Sequence, residues 1–320
     1  MKTILGGLLA ALALAAATPA HSQQFPTKPI RIIAPFAPGG GTDFIARQVA
    51  DRLTQKLGQP VLVDNKPGAG GNLGAELAIK SPPDGYTLLL IAGSYTVNAS
   101  LYKLPYDSGS DISPIIQLSQ GPFVVVVPPS VKANNLKEFI ALAKAEPGKL
   151  SYASAGAGSI THLATELFLD MAKIKVVHIP YKGTGPAQTD TIAGTTQLLF
   201  GSVATTLPFV KQGRLRALAV TTPKRISAAP EVPTVAEAGV PGYDVVLWHG
   251  LIAPKGVPKA IVDKLNQAAN DVVKAKEMEE KLAGEGVTPA GGTSEGFGKL
   301  IKADIARWAT VVKQANVKIE

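Results

Sequence analysis

Apolar residues follow two rhythms along this chain. Short continuous runs, IRIIAPF at 30–36, PVLVDN at 60–65, YTLLLIAG at 86–93 and VVVV at 124–127, have the length and branching of buried strands. Between them Ile45, Val49, Leu53 and Leu57 recur at helical spacing, as do Leu163, Leu167 and Met171 farther on. The alternation predicts further strands at 149–156, 176–181, 196–202 and 215–222. It predicts helices over 136–145 and 160–171, and a loop leading into a helix at 184–194. From residue 259 onward the pattern is strongly helical. Strands and helices in alternation predict an α/β protein with mostly parallel sheets, and no period of 20–50 residues points to a solenoid.

The first 22 residues have a different character. Lys2 precedes an almost unbroken apolar run from Ile4 to Ala17, and small residues follow before Gln23. This is the layout of a secretory signal peptide, too short for a stable membrane span. The expectation is an exported, periplasmic protein, and the absence of any cysteine fits a chain whose core needs no disulfide staples. Beyond residue 22 there is room for two domains. The net charge of +8 becomes +7 without Lys2 (31 basic minus 24 acidic residues). Such a balance either steers anionic ligands or simply solvates the surface. The basic residues are scattered and not interleaved with aromatics, which excludes a nucleic-acid surface.

Two glycine-rich loops stand in matching places. APGGGTDFIA follows the first strand, ASAGAGSITHLA follows the strand at 149–156, and each opens a helix. A helix start offers about four unpaired N–H groups and roughly half a positive charge. Glycines let a ligand approach that backbone closely. Nucleotides are disfavoured: neither loop ends in Gly-Lys-Ser/Thr, Phe44 and Thr161 occupy the third glycine position of a dinucleotide fingerprint, and Asp43 would repel polyphosphate. A single carboxylate suits such a loop better. The plainer alternative is that Thr42 or Asp43, and Ser159, are only helix caps.

Catalytic chemistry finds little footing. His162, His178 and His249 form no metal-ligand spacing, so no metal and no cofactor are expected. GAGSI is not a nucleophile elbow, and no cysteine nucleophile exists. His162, four residues before Glu166, reads as a packing histidine, and Trp248 as either core or ligand-stacking. The chain reads as a binding protein and not an enzyme.

The segments PTKPIRIIAPFAPGGGTDFIARQVADRLTQKLGQPVLVDNKPGAGGNLGAELAIKSPPDGYTLLL, YASAGAGSITHLATELF, IPYKGTGPAQTDTIAG, GRLRALAVTT, VPTVAEAG and WHGLIAPKGVP resemble the Bug-type receptors of tripartite tricarboxylate transporters. The resemblance covers 25–320 and implies a type II periplasmic-binding fold, a two-domain Venus flytrap. Domain one would comprise 23–122 and 245–320, domain two 123–244, with hinges near 121–124 and 243–246. It implies a receptor that closes on a small carboxylic acid and hands it to membrane permease subunits. Presentation of the ligand to a two-component sensor is an alternative; a periplasmic esterase or isomerase is a more remote one. A monomer suits a hinged receptor. Carried over by motif, the first jaw is Phe36, Pro38, Gly39, Gly40, Gly41, Thr42 and Asp43. The second is Ser154, Ala155, Gly156, Gly158 and Ser159, with Ser94, Asn98, Thr184, Asp190 and Ser202 near the ligand. Gly201 and Ser202 stand where relatives often carry an acid, which argues against an amino-acid ligand.

Overall fold

The computed structural model describes residues 25–284 and 286–314. The signal-peptide segment lies outside them. Three parallel strands come first: β1 (Ile30–Ala34) lies between β2 (Val61–Asn65) and β3 (Thr87–Ala92). Their helices are α1 (Gly41–Leu57), α2 (Asn72–Ile79) and α3 (Gly93–Leu101). Then β4 (Ile112–Val127) runs sixteen residues without a break. A second α/β set follows: α4 (Leu136–Ala145), β5 (Ser151–Ser154), α5 (Ile160–Ala172), β6 (Val177–Pro180), α6 (Thr184–Ile192), β7 (Leu198–Ser202), α7 (Val203–Lys211) and β8 (Arg216–Val220). The chain returns through β9 (Val246–Pro254) and ends in α8 (Lys259–Val273), α9 (Lys276–Gly284), β10 (Thr288–Pro289) and α10 (Ser294–Gln314).

The strand order is β2-β1-β3-β9-β4-β7-β5-β6, with β8 and β10 also on β4. Parallel pairing is confined to β1 with β2 and β3, and to β5 with β6 and β7. The expectation of mostly parallel sheets therefore holds only away from the centre. The central strands β4 and β9 run antiparallel to each other and to all their neighbours. The reason is topological: each carries the chain from one α/β set to the other, in opposite directions. Ile112 to Pro122 of β4 run along β9, with register shifts at Ile115 and Leu118, and Phe123 to Val127 pair with β7 and β8.

Three short helices depart from the periodicity. Residues 184–192 are helical from Thr184 itself, because Pro186 sits in the first turn where its missing N–H costs nothing. The helices α3 and α7 are nine residues each, too short for a one-sided stripe to stand out in the sequence.

Apolar packing is divided accordingly. Ile30, Ile32, Ile45, Val49, Leu53, Leu88 and Leu265 fill the space between the first sheet and its helices. Phe123, Phe139, Tyr152, Phe168, Phe200 and Tyr243 fill the second set. Helix α10 straddles both: Phe297 and Ile301 pack with the first set, Trp308 with the second.

Thr221, fully buried, ties the two crossings together. Its Oγ1 accepts from Phe123 N–H (2.8 Å) and donates to the Val245 carbonyl (2.8 Å). Its backbone N–H donates to Phe123 O, and its carbonyl accepts from Val245 N–H, both at 3.0 Å. Replacing Thr221 by Val keeps the shape but strands a buried donor and a buried acceptor. It should destabilise the fold by about 2–4 kcal/mol in urea unfolding, and Thr221→Ser should recover most of the loss.

Candidate functional site

The parallel strands of both sets end at one crevice, where the helices that follow them begin. It encloses about 390 Å³ of empty space including its mouth, of which only about 20 Å³ admits the centre of a water molecule. The two sides are shut on each other. Ala37 N–H donates to Lys182 O (2.8 Å), Tyr102 Oη donates to Ala157 O (2.9 Å), and Ile160 N–H donates to Ser94 Oγ (2.9 Å).

Of the residues inferred from sequence, Phe36, Gly40, Gly41, Thr42, Ser94, Ala155, Thr184 and Ser202 line this cavity. Four helices aim their starts at it: α1, α3, α6 and α7, whose preceding residues are Gly40, Ala92, Gly183 and Ser202. None of the four has a side-chain cap. Their first-turn N–H groups are the positive ends of helix dipoles. No Asp, Glu, Lys or Arg lines the cavity; its polar contribution comes from backbone, Thr42, Ser94, Thr161, Thr184, Ser202 and His249. Such a wall attracts an anion through backbone dipoles alone.

The glycines are needed for closeness and not for turn geometry at two positions. A Cβ on Gly40 would collide with Thr184 Oγ1, and one on Gly41 would come within 2.7 Å of Ser202 Cβ and Oγ.

The other inferred residues stand behind or beside the cavity. The Asp43 carboxylate turns away from it and braces the first loop. It accepts from Gly39 N–H (3.1 Å), from Arg47 (2.9 and 3.1 Å) and from Asn65 Nδ2 (3.0 Å), which also donates to Phe36 O. Burial by itself would raise the pKa of this carboxyl, but the bonds from Arg47, Gly39 and Asn65 hold it below the usual range. Pro38 and Gly39 pack across the crevice against Gly185. Asn98 bonds Gly70 O and Asn72 Oδ1, and Asp190 accepts from Tyr181 Oη (2.6 Å).

The second glycine loop differs from the first. Ser159 caps α5 by accepting from His162 N–H (3.3 Å). The amides of Ala155, Gly156 and Gly158 are taken by Thr161 Oγ1, Ser154 Oγ and His162 Nδ1. The loop therefore offers the cavity Ala155, Ile160 and Thr161 rather than a row of free amides.

Sequence reasoning missed Ala92, Phe123, Ile160, Thr161, Leu247 and His249 as lining residues. The available signal was the period of two in VLWHG. On β9 Leu247 and His249 face the cavity, while Trp248 faces the opposite side, donating to Asp304 Oδ2 (3.2 Å) and packing edge-on to Phe297. Trp248 is thus core.

Behind the second loop lies a stack of Tyr152, His178 and His162, with the two imidazoles 4.1 Å apart and nearly parallel. Ser154 Oγ and His178 Nε2 are 2.6 Å apart, and Tyr152 Oη donates to Glu166 (2.5 Å). Burial pushes His162 down to about 4; burial, reinforced by His162, pushes His178 to about 3. His249 is likewise lowered to about 4 by burial. All three bind protons more readily unfolded than folded, so their stabilisation is complete above about pH 6.5 and is lost as pH falls toward 4. Glu166 and Asp304, raised mainly by burial, act in the opposite sense near and above pH 4.5. Urea midpoints should therefore fall between pH 7 and pH 5, by at most about 2 kcal/mol per histidine, and His178→Asn should flatten that profile.

Among the described residues no group of three or more His, Asp or Glu could hold a metal, and no helix is long and apolar enough to cross a membrane. Residues 45–317 match the model of the tripartite tricarboxylate transporter family receptor. Protein BugT of Bordetella pertussis is 38% identical over 323 residues, covering 100% of this chain and 98% of that one. The structure of periplasmic binding protein BugD is 33% identical with a TM-score of 0.90, covering 92% of this chain and 100% of that chain. The R. palustris protein Rpa4515, solved with adipate, is 35% identical with a TM-score of 0.89, covering 92% and 99%. These relatives are binding proteins. With a family model spanning most of its length and a fold shared along its whole described body, this chain belongs to the receptor family of the tripartite tricarboxylate transporters.

Proposed function

We propose that this protein is a periplasmic receptor that closes on a small carboxylate and delivers it to the permease subunits of its transporter. The observation that carries the reading is the meeting of four helix starts without side-chain caps in a cavity with no charged side chain in its wall. An adipate-bound relative of the same fold supports the ligand class. Residues 1–22 act as the export signal. The first lobe comprises 23–122 and 245–320, the second 123–244, and the crossings at 121–124 and 243–246 act as the hinge.

In this mechanism the ligand carboxylate accepts from amides at the start of α1 on one lobe and of α6 and α7 on the other. Thr42, Thr184 and Ser202 add hydroxyls. Each charge-assisted bond is worth about 1.5–3 kcal/mol. Since the donors belong to different lobes, the ligand binds the closed form more tightly and shifts the population toward it. Ser154, Gly156, Gly158 and Ser159 shape the second loop, and Asp43 the first, without touching the ligand.

A panel of aliphatic, hydroxy-, di- and tricarboxylates tests the ligand class by thermal shift. A true ligand at 100 times its Kd should stabilise the protein by about 2.7 kcal/mol, and no response from any carboxylate would count against the receptor role. Closure is tested separately with Gly40→Ala, whose methyl meets Thr184 only when the lobes are shut. Ligand affinity should drop at least about tenfold, while the ligand-free unfolding free energy stays within about 1 kcal/mol. An unchanged affinity would refute the shut geometry as the binding state.

A further inference from the structure

His249 is the one titratable side chain in the cavity wall, and the mechanism above leaves it idle. It stands on β9 directly opposite Ser119 of β4 in the crossing pair. Its Nδ1 lies 3.2 Å from Ser119 Oγ, the only side-chain hydrogen bond of this fully buried serine among the described residues. In one of the two tautomers this contact allows, the hydroxyl gives its proton to Nδ1. The imidazole proton then resides on Nε2.

That Nε2–H has no partner among the described residues, although His249 is only 3% exposed. Its neighbour on the ring, Cε1, lies 4.0 Å from where a Cβ on Gly41 would stand, at the open start of α1. A desolvated, neutral donor thus faces the same space as the helix starts. The apolar part of the wall is Phe36, Ala92, Phe123, Ile160 and Leu247. An apolar wall distinguishes ligands weakly by size, whereas a buried donor strongly rejects a ligand that leaves it unpaired.

Resting on the carboxylate-receptor reading, we propose that His249 sets specificity. Its Nε2–H binds a second oxygen that the ligand carries beyond the carboxylate held at the helix starts, so the protein prefers acids with such an oxygen over plain aliphatic acids of equal length. Ser119 is the positioning residue that fixes the tautomer. The recognised chemistry is an acceptor oxygen, supplied either by an uncharged hydroxyl or by a second carboxylate.

Calorimetric titration with chain-matched triples separates these cases: butanoate, its terminal hydroxy acid and succinate; hexanoate, its terminal hydroxy acid and adipate; and the equivalent triple for the strongest responder in the carboxylate panel. The wild-type protein should bind at least one oxygen-bearing member about tenfold or more tightly than the plain acid. Which member gains identifies the oxygen as neutral or charged, and either outcome supports the assignment. His249→Phe should abolish that preference, bringing the oxygen-bearing and plain acids to the same affinity as each other, and His249→Gln, which keeps an N–H donor, should restore part of the difference. Wild-type protein that binds all members of every triple equally, or a Phe variant that weakens all of them alike, would overturn the role of His249 alone. The wild-type comparison decides the matter even if the Phe variant does not fold. Failure of every acid to bind wild-type protein would instead overturn the receptor reading, and this inference with it.

Discussion

The pairing of β4 with β9 is the constraint on which the rest of this structure depends. Two strands cross from one α/β set to the other, hydrogen-bonded side by side, and Thr221 stitches them where they change sets. Because β4 pairs with β9 along its first part and with β7 and β8 at its end, the parallel strands of the two sets are held end to end. Their C-terminal ends, and the helix starts that follow them, then face a common crevice. The crossing strands also supply its floor, through Phe123, Leu247 and His249.

That arrangement suits the proposed anion site, which has no cationic side chain in its wall. A lysine or arginine in so tight a space would have to be desolvated before any ligand arrived. Helix dipoles carry no such penalty, since their N–H groups are fixed in place by the helix itself. What this solution demands is close approach of backbone to backbone. Gly40 and Gly41 meet that demand, because any side chain there would strike Thr184 or Ser202. Asp43, held by Arg47 and Asn65, keeps the first loop in the shape that brings those glycines forward.

Much of this was legible in the sequence, though unevenly. The strand at 30–36 and the helix after it show plainly, because a buried apolar run and a 3.6-residue stripe are local signals. The first glycine loop was also legible as a bare helix start, since glycines before a helix bear on backbone access directly. The two glycine loops look alike as strings, yet only one is open. Ser159, Thr161 and His162 consume the amides of the second, and those bonds depend on how the loop folds back on α5. The short helices α3 and α7 were illegible because nine residues make too few turns for an amphipathic period to stand out.

By itself the sequence determined the α/β class, the placement of glycine where a helix must start bare, and the family resemblance that the comparisons bear out. These follow from local periodicity, from the missing Cβ of glycine and from long ordered motifs. Only the tertiary structure decided which side chains meet in the cavity. It set Asp43 behind the loop, Trp248 in the core and His249 in the wall, one residue apart on the same strand. The face a strand residue takes is fixed by register against its neighbours. For β9 that register comes from β4, more than a hundred residues earlier in the chain, beyond the reach of any local pattern.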